Sequence, residues 1–129
     1  MSRILPACLI ALAMSIGVCT TANAADTQVV HLVLFKWKPN TTTEQEKEAG
    51  AKLLELKGKI PGVVSISFGH QNSPEAATKG HGFDAALSVV FTNAAARDAY
   101  LPNPDHQAVV TALLKPMIAD LAVVDYDLP

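Results

Sequence analysis

Val29-Val30-His31-Leu32-Val33-Leu34-Phe35-Lys36-Trp37 carries β-branched, aliphatic and aromatic side chains on both of the rows that a strand would present. A strand with one wet face alternates apolar with polar. This run does not, so it predicts a strand covered on both sides, in the middle of its sheet. One row holds Val29, His31, Val33, Phe35 and Trp37, and the other Val30, Leu32, Leu34 and Lys36. His31 is therefore a polar group in an otherwise apolar row.

Downstream of Pro39-Asn40, Thr43 and Glu46 have the spacing of a capping box and open a helix whose apolar face is Ala49, Leu53, Leu56 and Ile60. Glutamates in its first turn and Lys52, Lys57 and Lys59 later match the helix dipole. Gly58 and Pro61-Gly62 end it. From Val63 to His70, Val64, Ile66 and Phe68 alternate with Ser65, Ser67 and Gly69, which predicts a half-buried strand. A polar loop from Gln71 to Gly82 leads to a third strand, Phe83 to Phe91, with Phe83, Ala85, Leu87, Val89 and Phe91 on one face. Asn93 caps a short helix from Ala94 to Leu101. A further helix begins at Pro104, carries Val109, Val110, Leu113 and Leu114, and is disturbed by Pro116. Ala119 to Leu128 is the last strand. This order is the α+β, ferredoxin-like split βαβ arrangement, with a four-stranded antiparallel sheet that has helices on one face and a second face needing cover. An apolar second face points to pairing of two sheets in a homodimer.

The N-terminal 1–24 reads as a signal peptide. Arg3 precedes an apolar run from Ile4 to Val18, too short for the roughly 20 residues a spanning helix needs, and Ala22-Asn23-Ala24 has the small-x-small pattern of a cleavage site before Ala25. A periplasmic or secreted chain of residues 25–129 is expected, a single domain with no membrane association after cleavage. Both cysteines, Cys8 and Cys19, leave with the leader, which excludes a disulfide, a thiol nucleophile and cysteine-bound metal from the mature chain. The whole chain has 10 basic and 12 acidic side chains, a net charge of −2, and losing Arg3 makes that −3. A weakly acidic protein of this kind has no electrostatic reason to bind nucleic acid or anionic lipid.

Chemistry is concentrated in Tyr100-Leu101-Pro102-Asn103-Pro104-Asp105-His106. Pro102 stops the helix carrying Tyr100, Asn103 caps the next at Pro104, and His106 falls at its third position, where the helix dipole leans an imidazole toward neutrality. A neutral histidine beside a phenol can take a proton while the phenol holds an oxygen. The plain alternative is structural, with His106 completing a helix start and Tyr100 packing under the sheet. His31 reads first as a hydrogen-bonded core histidine; as a third candidate catalytic residue it would line the same cavity and share a hydrogen bond with His106 or Tyr100. His70, His81 and Asp84 form no metal-binding spacing, and phosphate-loop, GxSxG and HExxH motifs are absent, so neither metal nor cofactor is expected.

Taken in order, His31-Leu32-Val33-Leu34-Phe35-Lys36-Trp37, Pro61-Gly62-Val63, Phe83-Asp84, Tyr100 with Pro104 and His106, and Val124-Asp125-Tyr126 resemble the stress-responsive A/B barrel (Dabb) domain of the dimeric α+β barrel superfamily. The resemblance covers nearly all of the mature chain and implies a homodimer whose two sheets close into a barrel. The family includes stress proteins without assigned chemistry and a plant cyclase that closes a linear polyketide without a cofactor. By that resemblance His106 matches a base, Tyr100 its assistant, and His31 a pocket-lining histidine. Asn103 stands where relatives often have histidine, and Leu53 where the cyclase has a pocket tyrosine.

Three function classes follow. The first is binding of a small, partly apolar molecule in a cleft between sheet and helices, with Val33, Phe35, Ala49 and Leu53 as walls and His31, Tyr100 and His106 as polar points. The second is a cofactor-independent cyclase or lyase with His106 as general base. The third is a structural stress protein whose dimer barrel is itself the product.

Overall fold

The computed structural model describes residues 27–75 and 82–129. The proposed leader and part of the 71–82 loop lie outside the described residues. The chain runs β1 (Val29–Trp37), α1 (Thr43–Glu55) closed by a 3₁₀ turn (Leu56–Gly58), β2 (Val63–His70), β3 (Ala85–Phe91), α2 (Ala94–Tyr100), α3 (Pro104–Val109) and β4 (Ile118–Asp127). Between α3 and β4 the chain passes through a π-helical turn (Val110–Leu114) and a last helical turn, Lys115–Met117. All neighbouring strands are antiparallel in the order β2-β3-β1-β4, so β1 has a strand on each side as its apolar rows require.

The core lies between the sheet and the helices. Ala49, Leu53, Leu56 and Ile60 from α1 and the turns after it meet Val33 and Phe35 of β1 and Ala85, Leu87, Val89 and Phe91 of β3, all buried. The alternation read from β3 thus holds from Ala85 onward. Asp84, just before it, uses its backbone N–H on the Phe35 carbonyl and its carboxylate on the Trp37 N–H, both at 2.7 Å. The π-helical turn precedes Pro116, which has no N–H for the ordinary helical ladder, so the widened turn takes up the mismatch before β4.

Two local expectations need correction. The cap of α1 is Thr42 rather than Thr43, in a reciprocal box with Gln45: the Gln45 N–H donates to Thr42 Oγ1 at 3.2 Å, and the Thr42 N–H to Gln45 Oε1 at 2.8 Å. Moving the box back by one residue frees Glu46 for tertiary contacts. In β2 the register shifts between Val63 and Ser65: Val63 pairs with Phe91 and Ile66 with Val89. That bulge puts Val63 on the core face and leaves Val64 exposed, so the simple period of two fails at one residue. Gly62 just before it has φ +84°, and a Cβ there would lie 2.5 Å from the Ala96 Cβ, so both backbone and space call for glycine.

β4 is the weakly covered part of the molecule. It pairs with β1 on one side, while Leu121 (46 %), Val123 (48 %), Val124 (55 %) and Tyr126 (48 %) remain exposed. Through the register these split between both faces of the sheet, with Leu121 opposite Phe35 and Val123 opposite Val33 on the helix side, and Val124 opposite Leu32 and Tyr126 opposite Val30 on the other. An edge strand apolar on two faces is a surface that association would cover.

Candidate functional site

Three rings named from the sequence come together at the α2–α3 corner. The short helix α2 begins at Asn93, whose side chain accepts the Ala96 N–H, and ends by delivering Tyr100 into the core. Asn103 then caps α3, accepting the Asp105 N–H at 2.9 Å, with Pro104 at the first helical position. This tight corner brings the Tyr100 and His106 rings to a centroid distance of 4.3 Å, inclined at 39°. His31 lies 6.5 Å from Tyr100 on the sheet side, and Phe91 meets Tyr100 edge-on at 5.1 Å.

The hydrogen bonds of the cluster differ from the expected sharing among the rings. His31 Nδ1 is 2.7 Å from Asp125 Oδ1, and Asp125 Oδ2 is 3.2 Å from Arg97 Nη1. His106 Nδ1 is 2.9 Å from the Leu101 carbonyl. Carbonyl and carboxylate oxygens accept, so each imidazole donates from Nδ1, which leaves Nε2 of the neutral ring with its lone pair. Geometry explains the departure: the β1–β4 register sets Asp125 directly opposite His31, and the α2–α3 turn sets the Leu101 carbonyl beside His106.

Tyr100 is fully buried, and its hydroxyl has no hydrogen-bond partner among the described residues. Leaving a buried hydroxyl unpaired costs about 1–3 kcal/mol, so folding alone would favour phenylalanine here. Burial also pushes the phenol up to about 12, which keeps it a proton donor at neutral pH. His106 moves the other way. Desolvation lowers its proton affinity, the nearby His31 adds to this, and the bond to Leu101 partly opposes it. The lean toward neutrality is the one the sequence suggested, but burial rather than the helix end is its leading cause. The pair thus combines an imidazole free to accept at Nε2 with a phenol free to donate.

The four expected wall residues sit differently from an open cleft. Ala49 and Leu53 are completely buried and Val33 and Phe35 nearly so, because α1 packs directly on the sheet; in the protomer they are the floor of the core beside the rings. Arg97 is not among the expected site residues, and Asp125 enters the resemblance only within Val124-Asp125-Tyr126, without a role. The place of Asp125 opposite His31 follows from the strand register, which joins positions 94 residues apart.

The family model for the stress-responsive A/B barrel domain matches residues 29–128. The chain belongs to that family. No curated protein matches it. Among solved structures it is similar to a dimeric ferredoxin-like protein of unknown function from Thermobifida fusca (26 % identity, TM-score 0.69, 84 % of this chain and 97 % of that one). A Dabb family protein with a ferredoxin-like fold from Mesorhizobium loti is also similar, with 25 % identity, TM-score 0.64, and 80 % and 97 % of the two chains covered. The hydroxynitrile lyase from Passiflora edulis shares the fold at 18 % identity and TM-score 0.70, over 81 % of this chain and 95 % of the lyase. Dabb membership and the ferredoxin-like α+β fold expected from the sequence therefore stand, and relatives are described as dimeric.

Proposed function

We propose that this chain is an exported, homodimeric A/B barrel protein that binds a small, partly apolar molecule by an oxygen atom at Tyr100 and His106. The observation that supports the reading is the buried Tyr100 hydroxyl, which among the described residues has no partner, beside an imidazole that is bonded there through Nδ1 and not Nε2. A ligand carbonyl or hydroxyl would accept from the phenol, which requires the α2–α3 corner to move aside, because Tyr100 and the core side chains around it are buried in the protomer. The dimer reading is supported by the exposed apolar residues on both faces of β4 and by the dimeric relatives. The export reading is supported by Arg3, the apolar run after it and Ala22-Asn23-Ala24.

Native mass spectrometry of protein purified from the periplasm tests these points together. The expected result is a dimer of chains beginning at Ala25 with a co-purifying small molecule that Tyr100→Phe abolishes. A monomer, a retained leader, or ligand retained equally by Tyr100→Phe would each reject the corresponding part.

A second reading is favoured by the lowered proton affinity of His106: a cofactor-free lyase or cyclase in which His106 Nε2 removes a proton and Tyr100 stabilises the oxygen anion that develops. Since the same fold carries a hydroxynitrile lyase, mandelonitrile is a suitable first probe substrate. Cleavage that His106→Ala abolishes while the dimer persists supports this reading, and undiminished cleavage by His106→Ala refutes it. A ligand-free, inactive dimer would leave the structural stress protein as the function.

A further inference from the structure

At the other end of β1 the molecule has an open cleft of about 740 Å³, walled by the β1–α1 connection, the first turns of α1 and the end of β2. It is separate from the Tyr100 cluster. Trp37 on its wall stands six residues beyond His31, about 20 Å along an extended strand, and none of the three clustered rings lines it. Its volume falls within the range of about 300–1,000 Å³ usual for small-molecule sites.

The aromatic wall is held in place. Trp37 stacks on Phe35 at 5.0 Å and 10°, and Phe68 leans on Phe35 at 6.2 Å. The indole Nε1–H donates to Glu46 Oε2 at 2.5 Å, and Glu46 Oε1 lies 2.9 Å from His70 Nδ1. The Glu46 side chain is only 12 % exposed, so it fixes the indole from within. Gly50 makes room for Phe68, whose ring would lie 2.5 Å from a Cβ at that position.

Charge decides the class of ligand. Glu46 and Asp84 are matched by Lys38 and Lys47 around the cleft, with His70 and threonines between them. Neither an anion nor a cation is favoured by this balance. A neutral polyol can use both signs, donating hydroxyl protons to carboxylates and accepting from ammonium and threonine groups, while the C–H face of a sugar ring lies on an indole. We infer that this cleft is a carbohydrate site, with Trp37 as the stacking platform and Asp84 and Lys47 as the groups that read sugar hydroxyls.

Trp37 is the single tryptophan of the chain, so its emission reports on this cleft alone. Full-length mature protein is titrated with maltotriose, cellotriose and chitotriose, and with phenylacetate and benzyltrimethylammonium as charged aromatic controls. The expected result is a saturable change in emission for at least one trisaccharide at millimolar concentration, unchanged by 0.5 M NaCl. Asp84→Asn should weaken it at least tenfold, whereas Tyr100→Phe and His106→Ala should leave it intact. No saturable response to any of the three sugars, or tighter binding of either charged control, overturns the assignment. If Asp84→Asn does not fold, Lys47→Ala replaces it with the same expected loss, and undiminished binding there is equally fatal. Because both ring variants serve as unaffected controls, failure here is separable from failure of the Tyr100–His106 reading.

Discussion

The two ends of β1 differ in whether every buried polar group finds a partner. At the Trp37 end the indole N–H, the Glu46 carboxylate and the His70 ring satisfy one another, and the Trp37 backbone N–H is taken by Asp84. Near the His31 end, where His31 is bonded to Asp125, the Tyr100 hydroxyl is buried with no partner among the described residues. Satisfied polar groups stabilise the fold, whereas an unsatisfied one opposes it and points to a task beyond folding. The first end is a finished wall beside an open cleft; the second is a closed cluster with one donor in reserve.

The comparison breaks most severely if the packing behind Tyr100 is removed. Phe91 is completely buried and meets the phenol edge-on. Phe91→Ala should cost about 3–5 kcal/mol, measured by urea unfolding, and should free the Tyr100 ring to reorient. A loss below about 1 kcal/mol would mean that the core collapses into the space and that Tyr100 is not held by Phe91.

A smaller effect is expected at the Trp37 end from Gly50→Ala. Alanine favours a helix over glycine by about 1 kcal/mol, but the new Cβ would fall 2.5 Å from the Phe68 ring. Overpacking of this kind costs about 1–3 kcal/mol, so a net loss of about 1 kcal/mol is expected in thermal or urea unfolding, together with a shift in Trp37 emission as the aromatic wall moves. Net stabilisation would show that Phe68 yields freely and that the wall is not preorganised.

Tyr100→Phe sharpens the contrast because its sign is reversed. Removing a buried hydroxyl that bonds to nothing should stabilise the protein by about 1 kcal/mol, the lower end of the cost of leaving it unpaired, while abolishing ligand retention. A destabilisation of that size would show that the hydroxyl has a partner in the dimer, and the two ends of β1 would then be alike.

How much of this was legible in the sequence follows from which residues make local and which make distant contacts. The sheet-and-helix order was readable because β1, α1 and β3 obey their periods closely, from Val29 to Trp37, from Ala49 to Ile60 and from Ala85 to Phe91. Val64 was misplaced because a bulge shifts register without a local signature. The Tyr100–His106 approach depended on a corner of two prolines, whose likeness to the family, rather than helix spacing, put the rings together. Asp125 and Arg97 were illegible because they reach the cluster through strand register and a long side chain. Glu46 looked like half of a capping box, and only once Gln45 took that place did its role beneath Trp37 emerge.

The smallest expected effect concerns His106 and pH. Burial lowers its proton affinity in the folded state relative to an unfolded value of about 6.5. Above that value neither state binds the proton and the side chain adds no pH dependence. As pH falls through about 6.5 the unfolded chain takes up the proton first, so this contribution to stability declines until the depressed folded value is reached. His106→Gln keeps a donor for the Leu101 carbonyl and removes the titration, so the wild type should lose more stability than the variant between pH 7.5 and pH 5. Parallel loss in both proteins would mean that His106 titrates as it does in water, which would remove the electrostatic basis for treating it as a base and leave the unpaired phenol as the only mark of function at that end of the strand.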